Sequence, residues 1–306
     1  MITIPKVSII ILQFNNSEDT IRCLESVREL KYGNLEVIVI DNASAPEHQQ
    51  NTKNYLASQD NLNFKFKILN LNLGYSGGNN EGIKQALENK ADYVFILNPD
   101  VLVEPDLLDK LVAKAESDEK IGIVGPAVNE GDRIVYGGEI SWLKPELNHS
   151  HKAISHKLYV IGSSMLIKKK VIEKIGLFDE RYFLYFEDAD FNVRAQKARF
   201  KLALEPEAIA KHSVSSSTGS LGPAKLLYYH YRNVHLFNIK NGPIWAKLLL
   251  PFWSIYVILK QLAKILLIPS KRSVSIAILM GVMDFYMGRF GKMANNRWTM
   301  GNSNSL

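Results

Sequence analysis

The sequence contains one cysteine, Cys23, among 306 residues. A single cysteine cannot form an intrachain disulfide, and it excludes a cysteine-rich metal site. The apolar, uncharged stretch Leu248–Leu259 is shorter than the run of about 20 residues that a bilayer-spanning helix needs. Near the start, only Lys6 precedes the short apolar segment Val7–Leu12, which lacks a small-residue cleavage site and is typical of a strand. We therefore expect a cytosolic active domain in which Cys23 is a small buried hydrophobe.

Acidic residues are almost absent from the last part of the chain. From Lys225 onward Asp284 is the only acid among eleven bases, so this part carries a net charge of +10 and the residues before it carry −4. A basic segment on a mildly acidic domain predicts an anionic surface as its partner. Because the segment is also strongly apolar, we expect that surface to be a membrane and not nucleic acid.

An interfacial helix is the structure expected for Ile244–Ile268. On a helical wheel Lys260, Gln261 and Lys264 share one side, and lysines can reach lipid phosphates while aromatic side chains occupy the headgroup zone. A second segment, Val274–Met287, is also short. The alternative is that both helices pack on the preceding domain or form a dimer interface, so a homo-oligomer is left open.

Strand and helix patterns alternate along the first part of the chain. Predicted strands are near-continuous apolar runs, and predicted helices repeat apolar residues at helical spacing. The strands are Val7–Gln13, Leu35–Ile40, Phe64–Leu69, Tyr93–Leu97 and Ile121–Val124, and the helices are Glu18–Leu30 with Ser17 as N-cap, Pro46–Ser58, Asn79–Asn89 and Pro105–Glu116. This order predicts an α/β fold with a mostly parallel sheet and helices on both faces.

The chain between Arg133 and Lys168 changes to short strands and turns, which we expect to shape the pocket of a second substrate. Further predictions are a strand at Val160–Ile167, a helix at Asp188–Lys197, a short strand at Phe200–Leu204, and a serine-rich loop at Lys211–Ser217 that contains His212.

A polar tripeptide, Asn98-Pro99-Asp100, ends the apolar run Tyr93–Leu97. Pro99 cannot donate to the strand ladder, so Asp100 is placed at the carboxyl edge where open α/β sheets bind ligands. Taken alone, the tripeptide is equally consistent with an ordinary strand-ending turn. Asp41 directly follows an earlier predicted strand, and its alternative is an Asx turn or a helix cap.

Three acids, Glu187, Asp188 and Asp190, open a predicted helix. Crowded carboxyl groups raise at least one pKa toward neutrality, which suits a general base. For Asp190 we favour a structural pair with Arg194, which lies four residues further on. Together with the strand-ending acids, this cluster predicts a metal and diphosphate site that faces a general base.

The segment Gly74–Asn80 carries three glycines before a predicted helix. Glycine lets the backbone approach a ligand, and free N–H groups at a helix start attract anions or sugar hydroxyls. The segment is not a P-loop, because the Lys-Ser/Thr pair is missing, and it does not match the dinucleotide fingerprint. By itself it is a weak signal.

These motifs, in this order, closely resemble family 2 glycosyltransferases, especially the bacterial rhamnosyltransferase-like branch. The resemblance covers about the first 235 residues and rests on Val7-Ser8-Ile9-Ile10-Ile11, Ile40-Asp41-Asn42-Ala43-Ser44, the run from Asn72 to Asn80, Asn98-Pro99-Asp100, Gly176-Leu177-Phe178-Asp179-Glu180 and Glu187-Asp188-Ala189-Asp190. It implies a GT-A fold, a nucleotide-sugar donor, Mg²⁺ or Mn²⁺, and transfer with inversion at the anomeric carbon. The expected domains are a GT-A domain at 1–235, with a donor half at about 1–125 and an acceptor half at about 126–235, and a basic, apolar helical tail at 236–306.

The resemblance also implies donor-binding residues by position. Asp41 would accept a hydrogen bond from the base of a uridine or thymidine diphosphate sugar. Gly77, Gly78 and Asn79 would line the donor pocket, and Asn98 would lie in it beside the diphosphate.

The metal and base assignments follow in the same way. Asp100 would bind the metal that bridges the diphosphate, His212 would complete the metal shell, and Asp188 would be the general base with Glu187 beside it. Many relatives carry an acid where this chain has Asn98, which leaves one carboxylate at the metal site. We therefore expect weak metal binding in the absence of donor. A capped loop histidine is the alternative for His212.

The function implied is an inverting glycosyltransferase that moves a sugar, with rhamnose as the candidate, from a dTDP- or UDP-sugar to a saccharide hydroxyl in cell-surface polysaccharide synthesis. The acceptor is expected to be lipid-linked, and the enzyme to be peripheral on the cytoplasmic face of the cell membrane. A UDP-hexose or UDP-N-acetylhexosamine transferase of the same fold is the alternative. Two other classes are a catalytically silent membrane assembly factor, against which the intact Asp188 argues, and a nucleotidyltransferase, whose glycine- and lysine-rich phosphate loop is missing near the first strand.

Overall fold

A nine-stranded mixed sheet forms the centre of the computed structural model, which describes residues 4–59, 63–131, 133–142, 146–151, 158–212 and 221–294. The strands are β1 Val7–Gln13, β2 Leu35–Asp41, β3 Phe64–Ile68, β4 Tyr93–Leu97, β5 Val101–Val103, β6 Ile121–Asn129, β7 Ile134–Val135, β8 Gly138–Ser141, β9 Glu146–His149, β10 Leu158–Tyr159, β11 Ser164–Lys168 and β12 Lys201–His212. The helices are α1 Ser17–Arg28, α2 Pro46–Ala57, α3 Gly74–Glu88, α4 Leu107–Glu116, α5 Lys169–Ile175, α6 Glu187–Lys197, α7 Gly222–Asn241, α8 Ile244–Leu267 and α9 Arg272–Tyr286.

The order of the strands places a ligand crevice next to β1. The main sheet runs β3-β2-β1-β4-β11-β6-β12-β5, with β7 beside β6, while β8, β9 and β10 form a small second sheet. The first four strands are parallel, whereas β11 runs antiparallel to both of its neighbours. The direction in which new strands are added reverses between β1 and β4, and open α/β sheets bind ligands outside the carboxyl ends of strands at such a point.

Alternate residues of β1 supply the two faces of the core. Ile9 and Ile11 pack with residues of α1 and α4, whereas Ile10 packs with residues of α3, α5 and α6. Because both faces of the strand are covered, its sequence is a near-continuous apolar run. Helices on both faces of an α/β sheet are thus confirmed. Cys23 is buried in the apolar cluster that contains Ile9 and Ile11, as predicted.

Several predicted boundaries are wrong. The strand predicted at Val160–Ile167 begins only at Ser164, and the strand predicted at Ile121–Val124 continues to Asn129. Helix α1 begins at Ser17 and Asn16 takes the cap position. Helix α3 begins at Gly74 and not at Asn79, since the glycines lie inside its first turns. Strand β12 is 12 residues long, because it pairs with β6 along most of its length and with β5 at its end. His212 is therefore the last residue of a strand, while most of the predicted serine-rich loop lies outside the described residues.

The helical tail is continuous with the domain before it. Helix α7 runs through the boundary expected after residue 235, and α9 packs closely along it, since a Cβ on Gly281 would lie 2.5 Å from the Tyr228 carbonyl oxygen. Helix α8 continues for 24 residues through Pro251 and three lysines. Within the described part of the chain, α8 is the helix that is long and apolar enough to cross a membrane.

A buried histidine joins the three helices of the tail. His235 on α7 lies 3.0 Å from the hydroxyl of Ser254 on α8, which in turn lies 2.8 Å from the hydroxyl of Tyr286 on α9. Burial lowers the pKa of His235 to about 4 from an ordinary 6.5. A neutral His235 therefore contributes stability that is fully present above pH 6.5 and is lost as the pH falls toward 4.

Replacing His235 with glutamine is expected to remove this part of the pH dependence, because the amide remains polar but does not titrate. In the wild type, the histidine should account for a loss of about 2–3 kcal/mol in unfolding free energy across that range. Urea unfolding at pH 6.5 and at pH 4 measures this change in the free energy of unfolding. The control is His151→Gln, a substitution of an exposed histidine. Equal pH dependence in the wild type and His235→Gln would contradict the assignment.

Candidate active site

A cavity of about 710 Å³ lies at the carboxyl edge of the sheet, outside β1 and β4. Its wall combines the ends of parallel strands, the start of α3, the segment that leads into α6, and parts of the helical tail. The lining residues include Leu12, Phe14, Asn42, Asn72, Gly74, Tyr75, Asn98, Pro99, Gly162, Ser163, Phe183, Leu184, Tyr185, Phe186, Glu187, Asp188, Lys225, Tyr229, His230, Lys292 and Met293. This is the position at which the sheet topology predicts a ligand.

Glu187 and Asp188 lie in the first turn of α6 and line this cavity. The carboxylate of Asp188 accepts hydrogen bonds from the backbone N–H groups of Gly162 at 2.9 Å and Ala189 at 2.7 Å. Burial nevertheless raises the pKa of Asp188, and burial followed by the charge of Asp188 raises the pKa of Glu187 well above its usual range. Among the described residues, Oε2 of Glu187 has no hydrogen-bond partner. A carboxylate with a raised pKa is suited to take a proton from a substrate hydroxyl.

Asp100 and His212 meet at the end of β4, as the metal prediction requires. Oδ1 of Asp100 lies 3.5 Å from Nε2 of His212, and His212 is held in place by the pairing of β12 with β5. The carboxylate is 4% exposed, and it raises the pKa of His212. Asn98 and Pro99 line the cavity, whereas Asp100 and His212 are not among its lining residues. His212 is the last residue of β12 and not a loop residue, and its role as a metal ligand stays a prediction.

Asp41 is turned into the protein. Its carboxylate accepts hydrogen bonds from Nε2 of Gln13 at 2.7 Å and from the backbone N–H of Ser44 at 2.8 Å. This is the turn-type interaction that the sequence left open. The next residue, Asn42, lines the cavity. The contact of Asp41 with a nucleotide base stays a prediction.

The glycines of the Gly74–Asn80 segment have two different roles. A Cβ on Gly78 would lie 2.4 Å from Leu12, and one on Gly77 would lie 2.7 Å from Leu73, so both permit close packing of α3. These two glycines and Asn79 lie inside the helix, contrary to the predicted turn, and their donor contacts stay a prediction. Gly74 lines the cavity with φ +74°, and a Cβ there would lie 2.3 Å from the Phe183 carbonyl oxygen. Only glycine fits this position.

Asp190 has the structural role that the sequence favoured. Its fully buried carboxylate pairs with Nε of Arg194 at 2.8 Å and with Nζ of Lys240, and it accepts a hydrogen bond from Asn241. Lys240 also pairs with Asp179 at 2.7 Å. Helix α7 is thereby tied to the start of α6, which carries the cavity acids.

Several cavity residues were missed by reasoning from sequence. The hydroxyl of Tyr75 donates to the Gly162 carbonyl at 2.6 Å, and burial together with the nearby acids raises its pKa well above the usual range. Its position in the glycine motif was the available signal. Lys225 and Tyr229 belong to the expected acceptor half and Lys292 to the expected tail, and no local pattern indicated that they line the cavity.

Comparisons with known proteins agree with this geometry. The profile described as Glycosyl transferase family 2 matches residues 8–176. The chain is 28% identical over 244 residues to an N-acetylglucosaminyl-diphospho-decaprenol L-rhamnosyltransferase of Mycobacterium tuberculosis. This alignment covers 69% of this chain and 76% of that protein. It is 27% identical over 240 residues to a low-salt glycan biosynthesis hexosyltransferase of Haloferax volcanii, with 74% of this chain and 73% of that protein covered.

Solved structures share the fold. A mannosyltransferase of Pyrobaculum calidifontis, in complex with GDP-Man and Mn²⁺, superposes with a TM-score of 0.60 at 15% identity, covering 94% of this chain and 89% of that one. At this identity the likeness shows the fold alone. Because the family profile spans more than half of the chain, the chain belongs to glycosyl transferase family 2. It is a glycosyltransferase, and its superposition on solved transferases shows a GT-A fold.

Proposed function

We propose that this enzyme transfers a sugar from a dTDP- or UDP-sugar to a hydroxyl of a lipid-linked saccharide, with inversion at the anomeric carbon. The observation that carries the proposal is one cavity that holds two acids of raised pKa, Glu187 and Asp188, together with the strand end Asn98-Pro99. Rhamnose is the first candidate sugar and a hexose or N-acetylhexosamine the second, because relatives of both kinds match the chain.

Asp188 is the group that accepts the proton of the acceptor hydroxyl. As the acceptor oxygen forms its bond to the anomeric carbon, the O–H bond breaks toward Asp188 and the bond to the nucleoside diphosphate breaks on the opposite side of the sugar. The hydrogen bonds from Gly162 and Ala189 fix the direction of the carboxylate. A fixed base is effective because little reorganisation is needed in the transition state.

The residues beside Asn98 fit a divalent metal. A carboxylate and an imidazole, those of Asp100 and His212, lie 3.5 Å apart, and both are ligand types that Mn²⁺ accepts, whereas Mg²⁺ favours the carboxylate. Among the described residues no cluster of three or more His, Cys, Asp and Glu side chains could hold a metal. The remaining ligands would then be diphosphate oxygens and water. When bound, Mg²⁺ or Mn²⁺ offsets the negative charge that builds on the leaving diphosphate.

A thermal-shift screen tests the donor class. The protein is heated with Mn²⁺ and dTDP-rhamnose, UDP-glucose, UDP-galactose, UDP-N-acetylglucosamine or GDP-mannose. A bound donor at about 100 times its Kd should raise the melting temperature by a few degrees. We expect a shift with at least one of the dTDP- or UDP-sugars. A shift with GDP-mannose alone would contradict the pyrimidine assignment, and no shift with any donor would contradict nucleotide-sugar binding.

Helix α8 supplies the proposed membrane contact. Its buried residues, Ala246, Leu250, Ser254, Val257 and Gln261, recur every three or four positions and face the other tail helices. Gln261 is thus buried and accepts a hydrogen bond from Ser275, so it does not belong to the expected polar face. The opposite side exposes Ile244, Trp245, Leu248, Leu249, Phe252, Ile255, Tyr256, Leu259, Leu262, Leu266 and Leu267.

This exposed apolar face fits a lipid surface. Soluble proteins rarely expose so large a contiguous apolar area, and the surrounding tail carries a net charge of +10, which complements anionic headgroups. The basic segment that begins at Lys225 also contributes Lys225, Tyr229 and Lys292 to the cavity wall. A lipid-linked acceptor would therefore reach the acids from the side of the membrane.

Placing two aspartates on this face, with Leu248→Asp and Phe252→Asp, is expected to weaken binding to anionic phospholipid vesicles by at least about tenfold. These side chains are 66% and 69% exposed, so the change should leave the melting temperature nearly unaltered. Vesicle co-sedimentation measures it, and Ile4→Asp, at a residue 53% exposed outside the tail, is the matched control. Vesicle binding equal to that of the wild type would contradict the membrane role.

A further inference from the structure

The segment Arg181–Phe186, which leads directly into Glu187, has an uncommon backbone. Phe183, Tyr185 and Phe186 have φ values of +64°, +71° and +73°. Bulky residues with Cβ atoms rarely adopt this left-handed region, because the Cβ comes too close to the backbone. Such a conformation persists only where the surrounding structure holds it in place.

Two buried side chains of α7 hold this segment by its carbonyl groups. Nδ2 of Asn233 lies within hydrogen-bond distance of the carbonyl oxygens of residues 182, 184 and 185, at 2.8, 2.7 and 3.1 Å. Nη2 of Arg232 donates to the carbonyls of residues 181 and 182, at 3.1 and 2.9 Å. Nε of Arg232 also donates to Oδ1 of Asn233 at 2.9 Å, which fixes the orientation of the amide.

The segment also contacts the donor side of the cavity. The carbonyl of Phe183 accepts a hydrogen bond from the backbone N–H of Tyr75 at 2.6 Å, beside Gly74. The C-terminal end of the segment is therefore continuous with Glu187 and Asp188, called the acid pair below. Its middle is hydrogen-bonded to the start of α3. The distance between the acids and the donor side depends on how the segment is held.

We propose that Arg232 and Asn233 are positioning residues for the acid pair, acting through the Arg181–Phe186 segment. The proposal rests on the proposed role of Asp188 as the base. Both side chains are 1% exposed or less, and neither lines the cavity. Their polar groups face the backbone carbonyls that precede Glu187. They thus direct the first turn of α6 toward the substrates without touching them.

The test compares two asparagines of the same helix. Asn233→Ala removes the hydrogen bonds to the segment, whereas Asn238→Ala removes a side chain equally buried whose Nδ2 donates to the Val234 carbonyl within α7. The assay uses whichever of the named nucleotide sugars shifts the melting temperature most, with a lipid-linked saccharide as acceptor. We expect Asn233→Ala to lower kcat by about 10²-fold with the donor KM within about twofold, since small misplacements of a reacting group have effects of this size. Asn238→Ala should keep a kcat close to that of the wild type at a similar loss of melting temperature.

If Asn233→Ala does not fold, Arg232→Lys serves instead, because it keeps the cation and loses the planar fork that reaches two carbonyls. The expected result is a kcat lower by about tenfold with an unchanged donor KM and faster amide hydrogen exchange in residues 181–186. Equal kcat losses in Asn233→Ala and Asn238→Ala, or an unchanged kcat in Asn233→Ala or Arg232→Lys, would overturn the positioning role. An active Asp188→Asn enzyme would instead overturn the base assignment, so the two failures are distinguishable.

Discussion

Asp188→Asn is expected to lower kcat for sugar transfer by about 10³-fold, because the amide cannot accept the proton of the acceptor hydroxyl. The amide oxygen can accept from only one of the backbone N–H groups of Gly162 and Ala189, so we expect the melting temperature to fall by a few degrees while the protein stays folded. Steady-state kinetics and thermal unfolding of the two proteins measure both effects. A variant that transfers sugar as fast as the wild type would show that Asp188 is not the base.

Asp190→Asn provides the contrast, since it lies two residues away and has no proposed contact with substrate. Removing its charge takes one carboxylate partner from the partly buried cations Arg194 and Lys240, of which Lys240 keeps Asp179, and this should destabilise the fold by about 3 kcal/mol. The folded fraction is expected to keep a kcat within about tenfold of the wild type. The pair of variants thus separates the loss of a base from the loss of a structural ion pair.

The acid side of the pH profile follows from the same group. Burial raises the pKa of Asp188 above its ordinary 3.8, so a larger share of the protein carries a protonated, inactive base as the pH falls. We therefore expect kcat to decline on the acid side with a midpoint above 3.8. A profile that stays flat down to that value would contradict the environment described for Asp188.

Asp100→Asn should have the second largest effect on transfer. Loss of the single carboxylate at the metal site is expected to lower kcat/KM by about 10²-fold at fixed Mn²⁺, because ligand removal weakens metal binding and exposes the charge of the leaving diphosphate. Titration with Mn²⁺ should partly restore the rate. His212→Asn is expected to cause a smaller loss of kcat/KM, which added Mn²⁺ should also partly restore.

Calorimetry on the wild type tests the proposed metal site directly. With Asn98 in place of a second acid, Mn²⁺ alone should bind weakly, and a nucleoside diphosphate should tighten the binding by supplying phosphate oxygens. A tight site in the absence of nucleotide would contradict this arrangement.

The fold was predictable where the determinants are local. The strands β1, β2 and β4 are apolar runs bounded by polar turns, and each is buried on both faces. Their identity as strands and their places in the chain could therefore be derived from a few neighbouring residues. The second half of the sheet could not be derived in the same way. The pairing of β11 between β4 and β6, and of β12 with both β6 and β5, joins segments far apart in sequence, and no local pattern determines it.

The residues of the candidate site also differ in how far local sequence could predict them. Asp188 and Asp100 could be selected because a carboxylate at a helix start or a strand end can take a proton or bind a ligand, while their roles as base and metal ligand stay predictions. Arg232 and Asn233 donate hydrogen bonds to backbone carbonyls about 50 residues earlier in the chain, and their own sequence context is that of an ordinary helix. Gly77 and Gly78 illustrate the opposite difficulty, since glycines that permit close helix packing look like a ligand-binding turn.

The anomeric configuration of the product tests the central claim most directly. The glycosidic bond of the transfer product is analysed by NMR, and its anomeric configuration is compared with that of the sugar in the donor. A single displacement, with Asp188 as base opposite the leaving diphosphate, predicts complete inversion. Retention of configuration would contradict it.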